Sequence, residues 1–271
     1  MLLNSALSRP IAYGLRQLLD RVPGKAFDVV INSPGGDIDA AYLIVRQLQK
    51  RFGHLTGFVP FWAKSAATLV CLGMDELVLG EFGELGPLDA QIDETPPGGR
   101  PSLKSALNQF KAIESVNYKA LEFFNAAVSL IIRQAGVDVA TAVSMATPVT
   151  KAASDPLLSQ ISPEKLGEST RALEVGKDYA SRILKSYHGW NDLRTAVFVD
   201  KLVNGYPSHG SVIDLEELGR LGFSAREPDK DEAPLLDDMM TVLVTATKQD
   251  NIDLFVPEAE QALAEVASGN Q

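Results

Sequence analysis

Between Pro10 and Val22, Ile11, Leu15, Leu18, Leu19 and Val22 recur at helical spacing, and Pro23-Gly24 stops the helix they predict. Phe27 to Ile31 is an almost uniformly apolar run, as expected of a central parallel strand covered on both faces. Asp37 is placed to cap a helix with an apolar face of Ile38, Ala41, Tyr42, Val45, Leu48 and Phe52, and Gly53 is placed to end it. His54 to Pro60 reads as a second strand, Ser65 opens a second helix, and Glu76 to Leu79 reads as a third strand. Strand, helix, strand, helix, strand with short connections predicts right-handed crossover units on a parallel sheet.

Beyond this region the pattern changes. Gly80 to Arg100 is rich in glycine, proline and acid and reads as loop. Leu103, Leu107, Phe110, Ile113, Leu121, Phe124, Val128 and Ile131 then form the stripe of one long amphipathic helix, stopped by Gly136. Residues 137–200 predict further helices with poorer punctuation. Val212-Ile213 predicts a short strand, and Asp214 with Glu217 makes a capping-box-like start to a helix ending at Gly222. Charge and proline in Glu227 to Glu232 mark a linker, and Ala233 to Gln271 reads as an acidic helical tail. The expected organisation is one α/β domain over residues 1–226 and an extension over 227–271, without internal repeats.

Composition narrows the partners. The 271 residues carry a net charge of -10, which argues against nucleic acid or an anionic membrane surface. The one cysteine, Cys71, rules out an intrachain disulfide and a cysteine metal cluster, and its apolar neighbours make it a buried residue rather than a reactive thiol. Met1 to Leu7 has no basic region before an apolar core, so it is not a secretory signal. The longest apolar runs fall far short of the ~20 residues a spanning helix needs. A cytoplasmic location is expected.

Three stretches carry candidate chemistry. Gly35-Gly36, after a strand and before a helix, exposes backbone N–H groups that suit a phosphate or a developing oxyanion, although a plain tight turn explains the pair too. No Gly-Lys-Ser/Thr follows, so it is not a phosphate loop, and it is not the Gly-x-Gly-x-x-Gly of a dinucleotide fold. Ser65, between Lys64 and Ala66-Ala67, is either a helix N-cap or a nucleophile. A serine nucleophile needs a base, and the chain has three histidines. His54 precedes a strand and His188 lies in a helical region, whereas His209 sits in the turn-rich Tyr206-Pro207-Ser208-His209-Gly210, where catalytic groups concentrate. Asp89, with Asp93 and Glu94 as competitors, is an acid that could fix the base's tautomer. A lysine base is the alternative: Lys64 is adjacent but points away on a helix, and Lys104, Lys111 and Lys119 need burial to act when neutral.

Ile31-Asn32-Ser33-Pro34-Gly35-Gly36, followed by Ser65-Ala66-Ala67, resembles the ClpP and signal-peptide-peptidase class of serine peptidases, which have the crotonase-like fold. Glu84-Leu85-Gly86-Pro87-Leu88-Asp89-Ala90-Gln91 and Ser208-His209-Gly210 resemble one branch of it, the serine dehydrogenase proteinase family. The resemblance spans roughly Lys25 to Leu221. It implies an α/β crotonase/ClpP-like parallel sheet with crossover helices and a helical C-terminal extension, and hydrolysis of peptide bonds by Ser65, His209 and Asp89. It further implies oxyanion donors at Ala66 and Gly36, with Gly35 as second choice, no metal or cofactor, peptide or unfolded-protein substrates, and a homo-oligomer. A catalytically silent scaffold, a Ser-Lys dyad and an acyl-CoA hydratase or isomerase are the alternatives. Two departures stand out. The chain opens on a helix, without the strand and membrane segment common ahead of the Phe27 strand, so membrane association is not expected. Lys64 also replaces the small or polar residue usual before the serine.

Overall fold

The computed structural model describes residues 1–88, 91–93, 103–245 and 251–253. They form two compact units, residues 1–90 with 174–271 and residues 91–173, a division the hydrophobic pattern does not reveal.

The first unit is built on strands β1 (Leu2–Asn4), β2 (Ala26–Ile31), β3 (His54–Val59) and β5 (Glu76–Leu79). Its helices are α1 (Arg9–Leu19), α2 (Ile38–Arg51) and α3 (Ala66–Leu72), and the short strands β4 (Trp62–Ala63) and β6 (Glu84–Leu85) flank α3. In the five-stranded main sheet these four strands lie in the order β5-β3-β2-β1 and are mutually parallel, with Phe27 opposite Leu55, Val30 opposite Phe58 and Thr56 opposite Glu76. The crossover pattern read from the sequence is therefore the one that folds.

One expectation is corrected here. A strand does precede the Phe27 strand: Leu2 and Leu3 of β1 pair in parallel with Val30 and Ile31. The Val30 amide donates to the Met1 carbonyl at 2.7 Å, the Asn32 amide to the Leu3 carbonyl at 2.8 Å, and Asn32 Nδ2 to Asn4 Oδ1 at 2.6 Å. Three residues with one buried side chain, Leu3, are too few for a periodicity to register. A second correction concerns β2, which alternates instead of being covered on both faces. Phe27, Val29 and Ile31 are buried, whereas Ala26 and Asp28 are exposed.

The buried face of β2 meets the helical layer. Phe52, where the chain leaves α2, stacks on Phe27 with ring centroids 4.3 Å apart. Ala40, Ala41, Ile44, Val45 and Leu48 of α2 are buried, and every residue of α3 is buried. Each fully buried leucine or isoleucine contributes about 1.5–3 kcal/mol, so this layer fixes where α2 and α3 begin. Asp37 caps α2 as predicted, accepting from the amides of Asp39 (2.8 Å) and Ala40 (3.2 Å).

The second unit contains the antiparallel pair β7 (Gln91–Asp93) and β8 (Leu103–Ser105), then α4 (Leu107–Ala135) and α5 (Val139–Leu158). Leu103 thus belongs to a strand and not to the long helix, which ends at Gly136 in the left-handed region (φ 65°). Along the predicted stripe Phe110, Ile113, Phe124, Val128 and Ile131 are half-buried and Leu121 is exposed. Pro148 and Pro156 lie inside α5, which explains its poor punctuation in the sequence. Helix α6 (Pro163–Ser186) follows, its residues from Glu174 onward belonging to the first unit.

The chain then adds α7 (Asp192–Asn204), α8 (Leu215–Arg220) and α9 (Glu232–Thr245) to the first unit. The predicted Val212-Ile213 strand is an isolated antiparallel bridge between Ile213 and Leu85. Arg226 extends the sheet beside β5, and its guanidinium grips the Glu232 carboxylate with two hydrogen bonds of 2.6 and 2.9 Å. The expected helical tail is helical only in part, since Asn251–Asp253 forms β9, antiparallel to β1.

Candidate active site

A second, smaller sheet carries the candidate residues. Past the end of β2, Ser33 pairs with Ala63 of β4; β4 pairs with β6; and Leu85 of β6 pairs with Ile213. Four stretches distant in sequence therefore lie side by side, and each bears one of the motifs singled out above.

Ser65 stands where β4 turns into α3. Its backbone has φ 52° and ψ -119°, and among the described residues it is the one non-glycine with positive φ. Such a conformation costs an L-residue about 1–3 kcal/mol and persists only where its surroundings impose it. The surroundings are visible. The Ala67 and Thr68 amides donate to the carbonyls of Lys64 and Ser65, each at 2.9 Å. The fully buried Thr68 hydroxyl bonds the Ala63 carbonyl at 2.9 Å and the Gly86 carbonyl at 2.8 Å. Ser65 makes no side-chain cap to α3, so the simplest non-catalytic explanation of this serine is not realised.

The glycine pair is packed against this turn. Gly35 has φ 99° and Gly36 φ 136°, both closed to most side chains. A Cβ on Gly35 would lie 2.6 Å from the Lys64 carbonyl oxygen and 2.9 Å from Ser65 Cβ; one on Gly36 would lie 2.4 Å from the Leu7 carbonyl oxygen. Leu7 clasps the pair from the other side, donating to the Gly35 carbonyl at 2.7 Å and accepting from the Asp37 amide at 2.9 Å. The Gly35 amide donates to Ser33 Oγ at 3.1 Å. Among the described residues neither the Gly36 nor the Ala66 amide meets an acceptor.

His209 lies in the turn between α7 and α8 and is half-buried. Four residues later, Ile213 exchanges two backbone hydrogen bonds with Leu85, at 2.9 and 3.0 Å. The loop bearing His209 is thereby anchored to the sheet that leads into Ser65. Tyr206 steadies the same loop by donating to Glu217 Oε1 at 2.9 Å, and burial first, then that carboxylate, push its phenol pKa up. Asp89 falls outside the described residues. The other histidines have structural partners: His188 Nε2 donates to the Leu72 carbonyl at 2.8 Å, and His54 Nδ1 lies 3.9 Å from Asp75.

Lys64, the candidate lysine base adjacent to Ser65, is defined by its partners. The side chain is buried and runs from the turn to Glu84 Oε1 at 2.7 Å. Lys119 pairs with Glu122 at 2.7 Å on an exposed surface. Cys71 is buried in α3 and burial drives its thiol pKa up, so it is not a competing nucleophile. Sequence reasoning missed Leu7, Thr68 and Glu84. The one available signal was Thr68 three residues after Ser65; Leu7 and Glu84 act through contacts no local pattern encodes.

Among the described residues no group of acids, histidines or cysteines is arranged to hold a metal, and no helix is long and apolar enough to cross a membrane. Two uncharacterised proteins of Methanocaldococcus jannaschii are similar in sequence. One is 33% identical over 95 residues, covering 35% of this chain and 32% of the relative; the other is 32% identical over 69 residues, covering 26% and 24%. The match thus spans at most about a third of either relative. Among solved structures, the ClpP protease catalytic domain from Plasmodium falciparum aligns over 84% of this chain and 85% of its own, at 11% identity and a TM-score of 0.42. The membrane-bound stomatin-specific protease 1510-N aligns over 52% and 65%, at 14% identity and a TM-score of 0.32. Residues 14–141, which hold the glycine pair and the Ser65 turn but not His209, match the family profile of the ClpP-like SDH-type serine proteinases. Over that segment, a little under half of its length, the chain is similar to the ClpP-like SDH-type serine proteinase family.

Proposed function

We propose that the protein is a serine peptidase that hydrolyses peptide bonds through Ser65. The observation that carries this reading is the positive-φ serine turn seated on two positive-φ glycines, beside two amides that meet no acceptor among the described residues. Strain of this kind is expected where a nucleophile must be presented in one orientation.

In the proposed mechanism Ser65 Oγ attacks the scissile carbonyl while His209 takes its proton. His209 then returns that proton to the departing amine, and water repeats the cycle on the acyl-enzyme. Asp89 holds the imidazole and balances its charge when protonated. The Gly36 and Ala66 amides receive the oxyanion, each worth about 100- to 1,000-fold in rate by analogy with other oxyanion donors. Gly35, whose amide is engaged by Ser33, contributes by allowing close approach instead. Substrates are peptides or unfolded proteins, the assembly is a homo-oligomer, and the site of action is the cytoplasm.

Ser65→Ala and His209→Ala are each expected to lose hydrolysis of an unfolded protein substrate while keeping wild-type circular dichroism. An active Ser65→Ala protein refutes the reading. A His209→Ala protein with full turnover moves the base to a lysine, and a folded wild type that cleaves nothing favours a silent scaffold.

A further inference from the structure

Lys64 is the residue the mechanism leaves without a task. An ammonium has three N–H donors and no acceptor. Lys64 Nζ has three acceptors: Glu84 Oε1 at 2.7 Å, the Leu85 carbonyl at 3.2 Å and the Ser211 carbonyl at 3.3 Å. Its donor capacity is therefore filled. The fold also makes room for the stem, since a Cβ on Gly86 would lie 2.6 Å from Lys64 Cδ.

These partners belong to separate stretches. Lys64 immediately precedes Ser65, Glu84 and Leu85 form β6, and Ser211 is two residues beyond His209. The backbone joins Leu85 to Ile213, and within the turn the Ser211 amide donates to the Ser208 carbonyl at 3.1 Å. The ammonium supplies a cross-chain tie at Ser211. Glu84 aims that ammonium and serves as its counter-ion at 2.7 Å, and a buried charge without a counter-ion is costly.

We propose that Lys64 is a positioning residue that ties the His209 segment to the strand entering Ser65, with Glu84 as its support. The proposal rests on the peptidase reading above. Lys64 touches no reacting atom in this scheme; it acts by limiting how far the base can drift from the nucleophile. A misplacement of about an ångström can cost about 100-fold in rate.

The test uses three variants of the full chain. Lys64→Met with Glu84→Gln removes both charges, so that neither is left without its counter-ion; Glu84→Gln weakens the support alone; Lys64→Arg keeps charge and donors. Hydrogen exchange is followed at residues 206–213 and in β2 and β3, alongside kcat and KM on a peptide substrate. In the double variant the proposal expects faster exchange at 206–213, unchanged exchange in β2 and β3, kcat lower by about 10- to 100-fold and KM within about twofold. Glu84→Gln should fall between it and wild type, and Lys64→Arg should restore both protection and kcat. Should the double variant fail to fold, the two single variants decide, because kcat must fall in step with protection of 206–213. Lost protection with full kcat, lost kcat with full protection, or wild-type behaviour throughout overturns the proposal. A wild type without hydrolysis refutes the peptidase reading and this role with it, while the exchange data still report whether the tie exists.

Discussion

Replacing Gly35 with alanine puts a methyl group where the structure has no space. The new Cβ would lie 2.6 Å from the Lys64 carbonyl oxygen, 2.9 Å from Ser65 Cβ and 3.1 Å from the Ala66 amide nitrogen. Optimal carbon contacts lie at ~3.5–4.0 Å, so the Ser65 turn must retreat by roughly half an ångström to an ångström. Alanine must also adopt φ near 99°, at a cost of about 1–3 kcal/mol. Overpacking adds about 1–3 kcal/mol, and the stiffer unfolded chain returns about 0.4–1 kcal/mol. The net expectation is a loss of about 2–4 kcal/mol, or roughly 5–15 °C in Tm. Calorimetry or urea unfolding measures it. Gly219→Ala is the control, because a Cβ there meets nothing within 4 Å and its φ is not positive. If Gly35→Ala melts within a degree or two of wild type, the inferred packing between the glycine pair and the serine turn is wrong.

Two further predictions concern the serine turn and the Arg226–Glu232 pair. Ser65→Gly should be inactive yet at least as stable as wild type in urea unfolding, because relief of about 1–2 kcal/mol of positive-φ strain offsets the ~0.5–1 kcal/mol entropy cost of glycine; a clear loss of stability would mean the serine turn is not strained. Hydrogen bonding to Arg226 holds the Glu232 carboxyl down at about 2, against 4.5 ordinarily. Because the folded pKa is depressed, the stabilisation is present above pH ~4.5 and is lost as pH falls toward ~2. Acid unfolding of wild type and Glu232→Gln should therefore converge across that window, and a gap that persists at pH 2 would place the effect elsewhere.

How much of this could be read from the chain depends on the range of the interactions. β2, β3, β5 and α2 are legible because each carries its own apolar pattern, and Asp37 signals its cap within three residues. β1 is not, since Leu2–Asn4 is a strand by virtue of its hydrogen bonds to Val30 and Asn32. The uniform apolarity of Phe27 to Ile31 misled for a related reason: the pattern is blind to which face a neighbour covers, and Asp28 lies on the exposed one. At the candidate site, Gly35, Gly36 and Ser65 announce themselves by residue type. What holds them does not. Leu7 reaches the glycines from 28 residues upstream, Thr68 spans 18 residues to Gly86, and Lys64 spans 147 to Ser211. Such contacts are products of the fold and leave no local trace.

We propose the strained Ser65 as the nucleophile. Incubating the folded chain with a fluorophosphonate and mapping the adduct by peptide mass spectrometry tests it directly. One adduct on Ser65, absent from Ser65→Ala and strongly slowed in His209→Ala, is expected. An adduct on another serine, or labelling that survives Ser65→Ala unchanged, would contradict it.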